Sequence, residues 1–252
     1  MNRKSVELAI ETSSRIGSVV LGFGGKIACE ASFSGIMRHS AEIFPVIKEQ
    51  LDSLGAKPAE IEHLYISNGP GSFTGLRIAA TLAKSMYLAN FLKIVTVDTL
   101  DVIASNAIIA INTGNISKDF PVKEGNDEIV RIGVVLDAKR GQFFIAVYDI
   151  IERGGGLEFE KVLQDSLMTA SEFLEKFACP QKTIWLLGDG LVYHREKFRA
   201  CGVEFFNEKH WSPVARNVYL LGRNMSQKKQ FADPVDLKPY YLCRPEIRPK
   251  IR

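Results

Sequence analysis

Residues 6–31 read VELAIETSSRIGSVVLGFGGKIACEA. Val6, Leu8 and Ile10 alternate with Glu7, Ala9 and Glu11, the period of a strand with one strongly apolar face. A short polar turn over 12–17 leads to a second strand over 18–23. Gly24-Gly25 then makes a two-residue hairpin turn, because glycine accepts positive φ without steric cost, and 26–31 runs back as a third strand. The opening is therefore an antiparallel β-β-β unit with a carboxylate, Glu11, at the tip of its first strand.

Further along, Ile43, Phe44, Ile47, Leu51 and Leu54 recur at steps of three and four and predict a helix over about 40–54, closed by Gly55 and Pro58. A buried strand over 64–67, a rigid glycine-rich loop over 68–75, a helix over 76–90 and a strand over 94–97 follow. Thr99 is the expected cap of a helix over 100–111. The polar stretch 112–128 reads as a loop. Beyond it, strands over 129–136 and 142–150 form a new hairpin around Asp137, and Gly154-Gly155-Gly156 leads to a strand over 159–163. Thr169 and Glu172 form a capping box. A strand over 183–187 ends at Gly188-Asp189-Gly190, then come a helix over 191–201, a strand over 203–206 and a last helix over about 213–228.

The fold class expected is α/β: two lobes, 1–111 and 129–211, each a mixed sheet of order β-β-β-α-β-α-β with flanking helices. The segment 212–252 supplies a C-terminal helix packing back on the first lobe, plus a tail. Glu11 and Asp137 hold equivalent places at the tips of the two opening strands.

The 252 residues are 46% hydrophobic and 24% charged, enough to bury a core without staples. A net charge of +3 is too small for nucleic-acid binding by the whole surface. Cys29, Cys179, Cys201 and Cys243 lie far apart, which argues against a disulfide framework or zinc site. Glu7 and Glu11 interrupt the first apolar stretch, so no signal-peptide core is expected, and no run approaches a membrane span; a cytoplasmic protein without membrane contact is the expectation.

The lobe order, with its two carboxylate-tipped hairpins, resembles the actin-like ATPase superfamily, whose RNase H-like lobes face each other across a nucleotide cleft. Within it, Leu8-Ala9-Ile10-Glu11-Thr12-Ser13, Arg38-His39-Ser40-Ala41-Glu42, the stretch Gly69-Pro70-Gly71-Ser72-Phe73-Thr74-Gly75-Leu76-Arg77-Ile78, and Leu136-Asp137-Ala138-Lys139-Arg140-Gly141-Gln142 are similar to the TsaB (YeaZ) family. Pro234-Val235 and Tyr240-Tyr241-Leu242 stand where that family has its C-terminal pattern. The resemblance implies an accessory subunit in synthesis of tRNA threonylcarbamoyladenosine, supporting a catalytic paralogue, TsaD, which carries the metal. It implies a heterodimer with TsaD, a TsaE ATPase docking on the pair, a homodimer when alone, and tRNA met only indirectly. No cofactor is intrinsic, ATP and magnesium belonging only to the complex.

Each motif also has a plainer explanation. The glycine loop before Leu76 has the form of an anion site at a helix N-terminus, yet no Gly-Lys-Ser/Thr follows it; a tight loop allowing close approach is favoured. Ser72 and Thr74 read as caps, since Pro70 stands where a nucleophile elbow needs glycine. His39, His63, His194 and His210 include no i, i+4 pair, so no metal site is expected. A residual nucleotide or anion site would use Glu11, Ser13, Ser14, Gly71, Ser72, Asp137, Gly188 and Gly190, but the longer Glu at position 11 and the lack of a catalytic aspartate point to a degenerate cleft. The alternative is an actin-like ATPase or phosphotransferase acting by itself. The helix over 76–90 is apolar nearly all round, which predicts a partner interface at Ile43, Ile47, Leu51, Leu76, Ala79, Ala80, Ala83, Met86 and Tyr87. In the tail 244–252, solvated disorder outweighs contact with tRNA phosphates.

Overall fold

The computed structural model describes residues 5–33, 39–112, 130–153 and 156–241. The polar loop expected over 112–128 falls, apart from Asn112, outside these residues, as do Gly154, Gly155, the basic tail and the side chain of His39. Strands β1 (Val6–Glu11), β2 (Gly17–Phe23) and β3 (Lys26–Phe33) form the antiparallel opening. Helix α1 (His39–Ser53), β4 (Ile61–Gly69), α2 (Phe73–Asn90), β5 (Lys93–Asp98) and α3 (Thr99–Asn112) complete the first unit. The second unit has β6 (Val130–Lys139), β7 (Gln142–Arg153), β8 (Gly156–Thr169), α4 (Ala170–Phe177), β9 (Ile184–Leu187), α5 (Leu191–His194) and β10 (Val203–Phe205), with α6 (Ala215–Gln227) last.

The two sheets share one topology: the first runs β3-β2-β1-β4-β5 and the second β8-β7-β6-β9-β10. In each, the opening strand pairs antiparallel with the next and parallel with the strand after the first helix. The repetition of order read along the chain is thus a repetition in space.

The alternation along β1 is not apolar-in, polar-out, because both faces of the first sheet are covered. Val6, Leu8 and Ile10 join Val19, Leu21, Leu64 and Ile94 in a core shared with α1 and α2. Ala9, Val20, Tyr65, Val95 and Val97 face the other way, against α3 and α6. Glu7 is tolerated on that side because Tyr65 and Tyr219 hydroxyls and the Gly25 amide all donate to its carboxylate. A buried carboxylate needs such donors to offset its lost hydration.

Helix α3 belongs to both cores. Val102 packs with the first sheet's second face, whereas Leu100, Ile103, Ala104, Ala107 and Ala110 enter the core of the second sheet. Its register against α6 is set by a buried polar network. Asn217 Nδ2 donates to Val102 O at 2.9 Å and to Asn106 Oδ1 at 2.7 Å. Asn106 Nδ2 in turn donates to the carbonyls of His210 and Ser212, both at 2.9 Å.

Besides strands longer than expected at β4 and β8 and an earlier start of α2, one cap and one helix depart from the sequence reading. The cap of α3 is Asp98, whose Oδ1 accepts from Leu100 N at 2.7 Å, since a side chain one residue before the first turn reaches its N–H groups and Thr99 already sits inside it. The helix expected over 191–201 is one α turn followed by a 3₁₀ turn, Arg195–Phe198, because Phe198 is drawn into the second core. The capping box at Thr169 and Glu172 is present.

Truncation of the buried polar link measures how much α3 and α6 depend on it. Asn217→Ala leaves the buried Asn106 Oδ1 without its donor and removes a second bond to the Val102 carbonyl, and is expected to cost about 1–3 kcal/mol in urea unfolding, the worth of one orphaned buried group.

Candidate functional site

The first lobe presents the turn after β1 together with the glycine loop. Glu11 is fully buried, and its Oε1 accepts from both the amide and hydroxyl of Ser13. Burial pushes its carboxyl above the ordinary value and Asp189 adds to this, against the pull of the Ser13 and Ser67 hydroxyls. The Ser14 hydroxyl turns back to Ile16 O at 3.2 Å. The glycine loop lies directly on this turn: Ser72 N donates to Ser13 O at 2.7 Å and Thr12 Oγ1 to Gly75 O at 2.9 Å. A Cβ at Gly75 would stand 1.8 Å from Thr12 O, so the backbones touch where no side chain fits. Ser72 caps α2, its Oγ accepting from Gly75 N at 3.4 Å.

The second lobe presents Asp137 and the turn Gly188-Asp189-Gly190. Gly190 N donates to Val135 O at 3.1 Å, and a Cβ at Gly188 would lie 2.2 Å from that same oxygen. Asp137 accepts from the amide and the ammonium of Lys139, each at 2.7 Å. Burial works against its ionisation, but Lys139, with help from His194, holds its carboxyl below the usual value. Asp189 goes the other way: burial and the charge of Asp137 push it up to about 6, against the pull of Arg15 and Lys139. Arg15 reaches across from the first lobe, donating from Nη1 to Tyr193 Oη at 2.6 Å, with its guanidinium 4.5 Å from the centre of that ring.

The structure therefore gathers Glu11, Ser13, Ser14, Gly71 and Ser72 on one side and Asp137, Gly188 and Gly190 on the other. Asp189, Arg15 and Tyr193, which link the sides, were not singled out as site residues; an aspartate between two glycines was the signal for the first. In the first lobe's half, one loop amide and the carboxylate are already engaged within the chain. The amide at Ser72 is taken by Ser13, and the Glu11 carboxylate is folded back and buried. Among the described residues no three His, Cys, Asp or Glu side chains come together in a way that would hold a metal ion.

The helical face requires a correction. Ile43, Ile47, Leu51, Leu76, Ala79, Ala80 and Ala83 are each no more than 7% exposed within their own lobe. They are core residues, and a partner cannot reach them; Met86 and Tyr87 are half-buried at the edge of the same core. The reason is geometric: α2 meets β4 on one side and α1 on another, so an all-round apolar helix is consumed internally. What remains outward is the adjacent stripe. Phe44, Phe73, Arg77, Ile78, Thr81 and Ser85 line a groove of about 410 Å³ between α1 and α2. Phe44, Leu88 and Phe91 are exposed at 58%, 74% and 76%. Arg77 lies 3.7 Å over the Phe73 ring, and Tyr241 closes that end, 5.2 Å from Phe73 and 3.4 Å from Arg77 Nε. The irregular run leading there is tied to the lobe through Lys84 Nζ to Val235 O and Tyr240 N to Asn68 O.

Residues 27–174 match the family model described as TsaD, tRNA N6-adenosine threonylcarbamoyltransferase. The chain is 25% identical over 246 residues, 96% of each chain, to a tRNA threonylcarbamoyladenosine biosynthesis protein TsaB of Bacillus subtilis. It is 30% identical over 164 residues to the TsaB of Escherichia coli, covering 64% of this chain and 63% of that one. Among solved structures, YeaZ from Pseudomonas aeruginosa superposes with a TM-score of 0.73 at 20% identity, covering 94% of this chain and all of that one, a likeness of fold.

The buried carboxyl at the strand tip carries a test. A carboxyl raised above its unfolded value lowers stability progressively as pH climbs from about 4 toward its folded-state value. Glu11→Gln is expected to melt higher than the parent at pH 7–8, with the gap closing near pH 4, in thermal unfolding followed by circular dichroism.

Proposed function

This chain belongs to the TsaD family and, within it, to the TsaB (YeaZ) proteins of tRNA threonylcarbamoyladenosine biosynthesis, and we propose that it acts there as a non-catalytic subunit supporting a TsaD paralogue. The observation that carries this reading is the groove between α1 and α2, lined by Phe44, Phe73 and Ile78, together with the exposed Leu88 and Phe91 at the far end of α2. Large apolar side chains clustered in the open beside a concave surface are the composition of a protein interface core, not of solvated surface.

A helix pair from a second chain fits such a face, giving a four-helix arrangement. The same face serves pairing with a second copy when the paralogue is lacking, and a TsaE ATPase docks on the heterodimer. The reaction centre and its metal lie on the partner. The support for assigning no catalysis to this chain is the cleft itself: the Ser72 amide and the Thr12 hydroxyl are bonded to its own backbone, and Glu11 accepts from Ser13 rather than facing outward. Nucleotide and magnesium are held, in this proposal, in the complex, and tRNA is met through the partner. Among the described residues no helix is long and apolar enough to cross a membrane; a cytoplasmic setting is part of the proposal.

The experiment is co-expression with the TsaD paralogue of the same genome and size-exclusion chromatography. Thr81→Arg places a long cation on the exposed groove wall and is expected to weaken the pair about 100-fold, about 2.7 kcal/mol, with an unchanged melting temperature. Ala83→Arg, at a position with no exposure, is expected to give unfolded protein instead. Co-elution of Thr81→Arg and Leu88→Asp at parental affinity rejects the surface, and ATP turnover by the isolated chain rejects the non-catalytic assignment.

A further inference from the structure

A second cluster of charged groups lies where the lobes meet, outside the groove and the cleft. The Lys161 ammonium on β8, only 16% exposed, stands 3.3 Å from Asp98 Oδ2, 2.8 Å from Asp101 Oδ1 and 2.8 Å from Asp165 Oδ1. Asp98 ends β5 and Asp101 sits in the first turn of α3, so both come from the first lobe; Lys161 and Asp165 come from the second. The Tyr148 hydroxyl on β7 donates to Asp101 Oδ1 at 2.8 Å. Tyr240, arriving after α6, also lies within the field of Asp165, Asp98 and Lys161.

One ammonium among three carboxylates leaves a net charge of −2 if every carboxyl ionises, in a place with little water to screen it. Asp98 Oδ1 is occupied by the Leu100 amide, so its second oxygen is the one that meets the Lys161 ammonium, which Asp165 Oδ1 meets as well. Carboxyls this close, sharing one cation, do not ionise independently; one proton held between two of them reduces the charge to −1 and adds a hydrogen bond. The neighbours do not supply that relief. Burial and the adjacent aspartates keep Tyr148 neutral, and although burial disfavours the Lys161 charge, Asp98 and Asp101 more than restore it.

We propose that the seam between the lobes carries a proton-operated latch: a proton shared by Asp98 and Asp165 completes the Lys161 cluster, and its release loosens the contact of β8 with the start of α3. Burial first, then Asp165 and Asp101, push the Asp98 carboxyl up to about 8, so the latch changes state under mildly alkaline conditions. The sign for global stability is separate. A carboxyl protonated in the folded chain and ordinary in the unfolded one makes stability fall from about pH 4 to about pH 8 and level off above.

The test is amide hydrogen exchange, corrected for intrinsic rates, on the full chain and on Asp98→Asn. The asparagine keeps an oxygen for the Leu100 amide and removes the titrating carboxyl, so its state at this position does not change with pH. In the parent, protection across 98–101 and 161–165 is expected to fall about tenfold between about pH 7 and pH 9, whereas Asp98→Asn stays level. The melting temperature of Asp98→Asn should also decline less between about pH 5 and pH 8. Asp165→Asn repeats the measurement should the first variant fold poorly. A parent whose protection does not change with pH overturns the latch, and so do asparagine variants that lose protection as the parent does.

Discussion

Helix α3 is held by two sheets at once, and the placement of everything else follows from that. Val102 is committed to one core and Leu100, Ile103, Ala104, Ala107 and Ala110 to the other, so the helix cannot shift toward either lobe without opening a cavity in one of them. The Asn106–Asn217 pair then fixes which turn of α6 lies beside it, because buried amides accept few alternative registers. With α3 and α6 set, the opposite face of the first sheet is left to α1 and α2, whose outer sides become the groove. Its first turn also carries Asp101 to the Lys161 cluster, where the two lobes exchange charge.

Two regions of the molecule deal with buried carboxylates differently. Glu7 is satisfied by two tyrosine hydroxyls and an amide, an arrangement that holds the sheet to α6. Glu11 and Asp189 are both raised by burial, and the charge of Asp189 raises Glu11 further. In an active cleft such raised carboxyls would be candidates for acid–base work. Here Glu11 is enclosed and its turn is packed under the glycine loop, which stitches β1 to α2.

The outward stripe of α2 illustrates how a residue pattern can carry the right idea at the wrong side chains. Its excess of apolar residues was read as surface left for a partner. Ala79 and Ala83 are small because β4 lies close beneath them, and Leu76 and Leu82 fill the space between helix and sheet. The side chains that stay outside, Phe44, Thr81, Leu88 and Phe91, looked unremarkable in the helical pattern because exposure depends on what α1 does nearby. Periodicity identifies a face, but two adjoining faces of one helix are about 100° apart, and only neighbours distinguish which of them is covered.

What the residues by themselves determined was local and additive: the hairpins at Gly24-Gly25 and Lys139–Gln142, the capping box at Thr169, the α/β order, its repetition, and the family. Each rests on short-range stereochemistry or a contiguous motif, which survives whatever the rest of the chain does. Only the tertiary structure decided which faces were spent. It turned seven expected interface residues into core, handed the α3 cap to Asp98, shortened the helix after Gly190, and drew Asp98, Asp101, Lys161 and Asp165 together from positions up to 67 apart in sequence. Such meetings depend on how two sheets pack about a shared helix, a long-range geometry that no window of sequence contains.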